Sequence, residues 1–472
     1  MYQKSGFPGW AVKELKQAGY RPQNVMDAYI PEWWGWYTCT ASWFADDSSP
    51  YKRKMTLHPA RKVCDEFELL MLDGDLSVSC ESGPAGAAEW LEGAAPALLG
   101  SLWGFVSRYM ALGTGALAVD LSGVGRGASE GARAVVRTFD ADELCPLACD
   151  ARGAVSAAFC RRVVVGGREY LMLQVHEPAG GGYEIKTWMH EQAGTEAPRR
   201  VHVEGVAEEV LTGCPLPTFA LARPAVPNEL EPNTPLGVAV FEACVPQLMD
   251  VDAKYDDWHW SPRLCRPRVA VDERGLVVNP KTGEHEFGST IDQMLYKAVG
   301  AGGDSSVPVT VVAPDPRIAQ LEQALSAALG VLGDRVGFGP NYFRFNASEN
   351  GGLYKTATEV ASGNQRLMRA VQRHETVLGG AVESVLAAAF LCERALRSGA
   401  LASPEDAPVF RVRWDDSIME DDAAKRAAMK DDIARGLCPA WLYPMEYYGM
   451  TEAEAKAFVA GGEAPEGDGE EF

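Results

Sequence analysis

The alternation of apolar and polar residues changes period along this chain, and its longest single-period run lies toward the C-terminal end. From Tyr354 to Arg397, the residues Val360, Leu367, Val371, Leu378, Val382, Val385, Ala389 and Leu396 recur at steps of three, four or seven. That spacing lays one apolar stripe along a helix, while Arg366, Arg369, Gln372 and Arg373 mark another face. The helix is expected to open at Thr356, which forms a capping box with Glu359 so that each side chain satisfies an orphan backbone N–H. No proline interrupts it, so it should reach roughly 60 Å at about 1.5 Å per residue. Gly379-Gly380 is the expected kink. Such length suggests a spine within an assembly, or else the long core helix of an enzyme.

Before that helix the pattern is more broken. Residues 1–80 are rich in aromatics, with Trp33, Trp34, Trp36, Tyr37 and Trp43 close together, and a packed subdomain is expected. Lys52-Arg53-Lys54 reads as a short basic surface patch. Residues 86–112 carry Trp90, Leu91, Leu98, Leu102, Phe105, Val106 and Tyr109 at helical steps. The following Gly113-Thr114-Gly115 superficially suggests a nucleotide loop, but no Lys-Ser/Thr follows it, and a bend into a strand is expected. From Val119 to about Val226, short β-type runs alternate with Gly and Pro turns, an antiparallel sheet pattern. Prolines 215, 217, 224, 227, 232 and 235 then mark a boundary.

Residues 236–264 are helix-biased, with Pro246 starting a segment or kinking it, and Asp250, Asp252, Asp256 and Asp257 read as a solvated acidic face. Residues 265–314 switch to strands and turns. Asp315 and Pro316 are read as N-cap and first helical residue of a second helix to about Gly333. Residues 334–355 lack periodicity. Beyond the long helix, Val409–Trp414 alternates as a strand, helices are expected near 418–435 and 451–460, and residues 461–472 form an acidic, Gly-rich tail.

At 472 residues the chain suffices for two to four domains, and 47% hydrophobic with 23% charged residues is the profile of a folded protein. No apolar run of the ~20 residues that span a bilayer is apparent, and the N-terminal residues lack a signal-peptide segment, so synthesis and retention in the cytoplasm are expected. A net charge of −21 disfavours sequence-specific DNA binding, which depends on Lys and Arg meeting phosphates. The same charge suits a wall past which DNA slides, or simply keeps the protein soluble. Eleven cysteines and seven histidines are scattered without zinc-site spacing, so no metal or cofactor is expected. Asp415, Asp416, Glu420, Asp421 and Asp422 form the densest carboxylate cluster. Such a group can hold Mg²⁺ for phosphoryl chemistry, or place acids at a helix start where the dipole favours them.

One ordered set of segments carries a resemblance. Gly337-Phe338-Gly339-Pro340-Asn341-Tyr342-Phe343-Arg344-Phe345 leads through a Ser/Asn/Gly loop into Thr356-Ala357-Thr358-Glu359-Val360-Ala361-Ser362. Trp414-Asp415-Asp416-Ser417-Ile418 and Met450-Thr451-Glu452-Ala453-Glu454-Ala455 follow. Together they resemble the portal (head-to-tail connector) proteins of tailed phages of Gram-positive bacteria, from about Pro235 to Val459 and more loosely before. Periodicity and composition alone do not reach this.

The resemblance implies a mixed α+β portal fold. Residues 1–235 would be the β-rich wing, 236–264 and 315–333 the stem helices, 265–314 the strand-and-loop clip, and 334–355 the tunnel loop. Residues 356–414 would be the spine helix with a strand returning to the wing sheet, and 415–460 the helical crown. Arg344, Asn346, Ser348, Glu349, Asn350 and Lys355 would then lie in the DNA-channel loop, with Arg344 facing phosphate or bridging subunits. Asp272, Glu273, Glu284 and Glu286 would be clip contacts for the packaging motor or tail adaptor. It implies no catalysis by this chain, but a ring of probably twelve subunits at a capsid vertex of the virion, assembled in the host cytoplasm. Double-stranded DNA would pass through it, and terminase (the packaging ATPase), major capsid protein, scaffold and head–tail adaptor would be partners, with no membrane involved. The alternatives are a metal-dependent nuclease or nucleotidyl enzyme using Asp415–Asp422, and another ring-forming virion protein such as an adaptor.

Overall fold

The computed structural model describes residues 4–47, 52–72, 76–124, 131–150, 153–192, 197–266, 268–272, 277–278, 285–286, 296–299, 309–312, 314–343, 357–414, 422–447 and 452–459. It is mixed α/β, 46% helical and 23% strand, so neither a helical bundle nor a β-sandwich describes it. The periodic C-terminal stretch forms one helix, Ala357–Ser398, of 42 residues. It runs unbroken through Gly379-Gly380, and the indole Nε1 of Trp414 lies 3.5 Å from where a Cβ on Gly379 would sit. Thr356 of the expected capping box lies outside the described residues.

Around this long helix the described strands are β1 (Ser77–Ser82), β2 (Gly115–Ser122), β3 (Arg133–Asp140), β4 (Leu144–Asp150), β5 (Gly153–Val165), β6 (Arg168–Ala179), β7 (Gly182–Glu191), β8 (Arg199–Val201), β9 (Glu209–Leu211) and β10 (Phe219–Ala222). Strands β4 to β8 form an antiparallel sheet in sequence order, with β9 also pairing to β7. A smaller antiparallel sheet has the order β10-β2-β3. Five consecutive residues of β2, Gly115–Val119, are buried, so both faces of this sheet are covered. The long helix and two shorter helices, Ala87–Leu102 and Phe105–Leu112, do the covering.

The helices preceding the sheets are α1 (Gly9–Gln17), α2 (Ile30–Tyr37), α3 (Pro59–Leu72), α4 (Ala87–Leu102) and α5 (Phe105–Leu112). The single helical pattern of residues 86–112 thus becomes two helices, because Gly104 takes a left-handed conformation at φ +74°. Of the early aromatics, Trp33, Trp36 and Tyr37 are buried in the main core, as a packed subdomain requires. The basic triplet is used locally: Lys54 sits over the Trp43 ring at 3.2 Å and Arg53 donates to the Cys39 carbonyl at 3.1 Å.

Gly113-Thr114-Gly115 is a chain crossing. A Cβ on Gly113 would lie 2.7 Å from the Val238 backbone, while the Thr114 hydroxyl accepts the Gly237 N–H at 2.9 Å. The chain from Leu236 to Phe241 that makes this crossing is buried but not helical. Helix α6 therefore covers Val245–Leu264, with Pro246 in its first turn, instead of beginning at residue 236. The next helix is Ile318–Val336, and its N-cap is Arg317 at φ +49°, not Asp315, whose carboxylate accepts the Arg317 N–H at 3.0 Å.

Between these helices lie strands β11 (Arg268–Asp272), β12 (Val277–Val278), β13 (His285–Glu286), β14 (Tyr296–Val299) and β15 (Val309–Val312). Strand β11 pairs parallel with β14 and antiparallel with β15. Strand β16 (Val409–Arg413) does not join the large sheet: it pairs antiparallel with β1. C-terminal helices Asp422–Ala434, Leu442–Tyr447 and Glu452–Val459 are held partly by cations on aromatic faces, Arg426 over Tyr447 and Lys456 over Trp441. The tail at 461–472 lies outside the described residues.

The core is contiguous from the aromatic N-terminal region through the small sheet to Val371, Leu378, Val382, Val385, Leu386 and Leu391 of the long helix. Burying each such side chain contributes about 1.5–3 kcal/mol. The segment Arg366–Ser398 is long and apolar enough to cross a membrane, contrary to the expectation of no such run, but its most apolar window is 72% buried inside the fold. Within that segment the nearly buried Glu393 accepts the Ala134 N–H at 2.9 Å and the Trp90 indole N–H at 3.2 Å, and pairs with Arg397 at 2.7 Å. Glu393→Ala should therefore destabilise the protein by about 2–4 kcal/mol, since two buried donors lose their acceptor. Glu393→Gln, which keeps one oxygen, should cost clearly less, and denaturant midpoints compare the two.

Candidate functional site

The residues that the resemblance singles out are mostly beyond what the structure describes. Arg344, Asn346, Ser348, Glu349, Asn350 and Lys355 lie outside the described residues, as do Glu273 and Glu284. Asp272 ends β11 and Glu286 lies in β13, where only the backbone is described. Asp415, Asp416, Glu420 and Asp421 are outside the described residues, while Asp422 opens the Asp422–Ala434 helix. What the structure does describe is how the flanking elements hold these segments.

Helix α6 and the Ile318–Val336 helix pack side by side as an antiparallel hairpin. At one end Ser261 Oγ donates to the Pro316 carbonyl at 2.5 Å, and at the other the Arg335 charge acts on Cys244. The strand-bearing segment between them therefore leaves and returns at one point, as an excursion on a two-helix stalk. The stalk is rooted in the main core through Leu248, Val251, Leu325 and Leu332.

The chain up to residue 343, just before the undescribed segment 344–356, is anchored firmly. Gly337, at φ +94°, ends the Ile318–Val336 helix, and the Phe338 and Gly339 N–H groups return to the Gly333 carbonyl at 2.9 and 3.0 Å. Gly333 is required there, since a Cβ would stand 2.5 Å from the Gly339 oxygen. Phe338 then inserts beside Phe67 of α3, ring centres 4.5 Å apart, and Phe67 meets His374 of the long helix at 4.6 Å. Tyr342 donates its hydroxyl to Glu66 at 2.5 Å, and burial with that carboxylate raises its pKa. Burial lowers His374 to about 4, with Arg373 adding to the effect, so its neutral Nδ1 accepts the Ala225 N–H at 3.0 Å.

Arg366, Arg369 and Arg373 follow one another at steps of three and four on the long helix, in the turns before His374. Arg366 bridges to Asp334 at 2.7 Å and Arg373 donates to the Ala225 carbonyl at 2.8 Å. Arg369 is exposed and has no partner among the described residues. The basic face seen in the sequence thus partly holds the long helix, at Arg366 against the stalk and at Arg373 against the chain at Ala225.

The acidic face expected on α6 divides in two. Asp250 and Asp257 are exposed, whereas Asp252 is fully buried and Asp256 accepts the Met55 N–H at 2.8 Å. Asp252 Oδ1 accepts the Thr56 hydroxyl at 2.7 Å and the Leu57 N–H at 3.1 Å, while its Oδ2 has no hydrogen-bond partner. These carboxylates tie the loop before α3 to the stalk. A helical-wheel reading would have put Asp252 beside Leu248 and Val251 on the buried side.

Close by, the Cys39 thiol lies 3.0 Å from His58 Nδ1. Burial pushes Cys39 up to about 11, while burial and then Arg53 lower His58, so the two meet as neutral groups and no thiolate nucleophile results. Among the described residues no group of three or more His, Cys, Asp or Glu side chains is arranged to hold a metal ion. The chain matches no family model, and no curated protein is significantly similar to it.

Burial raises Asp252 from 3.8 to about 6. An acid whose folded pKa is raised costs stability where the folded protein must ionise it. That cost is absent below about pH 4, grows as pH rises to about 6, and is complete above. Asp252→Asn keeps the acceptor for Thr56 and Leu57 without the charge. Relative to wild type, the variant should gain about 2–3 kcal/mol between pH 4 and pH 7, read from paired denaturation curves across that range.

Proposed function

We propose that the chain is the subunit of a phage portal, a ring at one capsid vertex through which DNA enters during packaging and leaves on infection. The observation that carries this reading is the order of elements around the long helix. A two-helix stalk bears a strand-rich excursion whose ends are tied at Ser261 and Pro316. An aromatic lock at Phe338 then leads into a 42-residue helix rooted in a β-rich body. Such an arrangement suits repeated copies about an axis, with the stalk able to project from a broad base.

On this reading residues 265–314 are the clip, with Asp272, Glu273, Glu284 and Glu286 facing the packaging motor and later the tail adaptor. The segment holding Arg344, Asn346, Ser348, Glu349, Asn350 and Lys355 reaches into the channel, its N-terminal flank fixed where Phe338 packs on Phe67. The work is mechanical: a cyclic set of heterologous contacts closes a ring, and loops grip or release DNA irrespective of its sequence. Net charge −21 fits a surface that does not hold the duplex tightly. The energy comes from a separate ATPase, terminase. Major capsid protein and scaffold meet the ring during assembly in the host cytoplasm, and the finished ring stays in the virion.

Native mass spectrometry with negative-stain imaging tests this. The expected result is a closed ring of about a dozen 51.0 kDa chains with a central hole, formed alone or on adding scaffold. Alanine at Asp415 and Asp416 should leave DNA uncut, as in wild type. A compact monomer or dimer that binds Mg²⁺, cuts DNA and loses that activity in the same variants would overturn the reading in favour of an enzyme.

A further inference from the structure

The hairpin of β5 and β6 is longer than the sheet that carries it. Strand β4 covers β5 only as far as Phe159, and β7 covers β6 only from Leu171 onward. Beyond those points the two strands pair with each other alone, Val163 with Tyr170, Val164 with Glu169 and Val165 with Arg168. The tip turns at Gly166-Gly167, where φ is +57° and +79°, both positive as a tight hairpin turn favours. A two-stranded ribbon is marginal in water, and three consecutive valines on free edges invite a partner. Val164 is 67% exposed. Arg162 and Arg168 are also exposed, without an ion pair among the described residues. Residues 161–170 hold three arginines against one glutamate, in a chain whose net charge is −21.

A groove of complementary character lies beside β9. It encloses about 1030 Å³, and Val210 and Leu396 lie in its apolar floor. Leu211 and Leu401 stand on its rim, 46% and 67% exposed. They meet over Gly181, where a Cβ would lie 3.5 Å from a Leu401 methyl and 3.7 Å from one of Leu211. The Ala402 N–H donates to the Gly213 carbonyl at 3.0 Å and fixes this rim. Glu208 and Glu209 line the same groove. Glu208 is met by His202 at 2.8 Å and Arg200 at 3.5 Å, whereas Glu209 is exposed and has no ion pair among the described residues.

We propose that the hairpin tip seats in the β9 groove of a second copy of this chain, Val164 packing on Leu211 and Leu401 while Arg162 meets Glu209. Alternate residues of a strand share a face, so Arg162 and Val164 are presented together. The tip does not meet the groove of its own chain. Val210 of β9 pairs with Ile185, which pairs with His176. From His176 the ribbon runs about eight residues to the turn, roughly 26 Å at about 3.3 Å per residue. The two patches differ, so the contact is heterologous, and repeating it sets copies head to tail. The inference deepens the ring reading and rests on it for the closure of that series.

The test compares full-length Val164→Asp, Arg162→Glu and Glu209→Arg with wild type by native mass spectrometry across a concentration series. All three side chains are exposed, so melting curves should show each variant folded like wild type. Each variant should need a concentration roughly tenfold higher or more to assemble, because a charge is buried or like charges are opposed. Arg162→Glu and Glu209→Arg mixed in equal amounts should assemble again with the two variants alternating, since every tip then faces an opposite charge. Rings that persist in the single variants, or a mixture that stays dissociated, overturn this contact and leave the ring reading standing. Open chains or dimers of wild type that the variants abolish uphold the contact and overturn the ring. A wild type that stays monomeric with and without scaffold overturns both.

Discussion

The architecture rests on burying one face of a single very long helix. A helix of 42 residues exposes far more apolar surface than its own hydrogen bonds can justify, and its stability must come from what it packs against. In this chain the partners are distributed along its length. Phe67 of α3 meets it at His374, the small sheet and α4 cover its middle, and the turn after β9 presses on its end at Ala395. The small sheet, covered on both faces, is in turn completed by this helix. Neither would be stable without the other, which is why residues hundreds of positions apart share one core.

Polar groups drawn into that core are held by specific partners and act as registers. Glu393 ties the edge strand β3 and the α4 indole to one turn of the long helix. Lys4, almost buried, bridges Asp140 and Asp142, and burial works against its charge while those two carboxylates raise its pKa. Arg108 joins the same Asp140 carboxylate at 2.8 Å. Asp252 and Asp256 fasten the loop before α3 to the stalk, and Trp33 reaches Glu242 through its indole. The aromatic N-terminal region is therefore not an appendage: it supplies the wall on which α6 is mounted.

This mounting bears on the proposed role. A projecting element that transmits force must have a stiff root, and here both helices of the stalk and the chain leading up to residue 343 meet the same aromatic and apolar core. The chemistry nearby argues in the same direction. The Cys39 and His58 pair is neutral, and His374 is kept uncharged to accept a backbone N–H, so these titratable groups serve as joints in the scaffold. The Glu66–Tyr342 hydrogen bond does the same for the exit of the Phe338 lock.

Local pattern alone determined much of the architecture. The 3.6-residue period from Val360 to Leu396 specified the long helix, because repeated apolar positions on one face admit no strand of that length. The alternation and turn residues between Val119 and Val226 specified antiparallel strands, and the switch of pattern at 265–314 specified strands between two helices. Tertiary contacts decided the rest. The helix expected from residue 236 starts at Val245, since the crossing at Gly113 and Thr114 needs an extended chain whose N–H groups bond outward. Strand β16 pairs with β1 and not with the large sheet, a choice between edges that no local period encodes. Charge groups Asp252 with its exposed neighbours, although its helical spacing from Leu248 already places it on the buried side; what the sequence does not show is the Thr56 and Leu57 donors that make that burial tolerable.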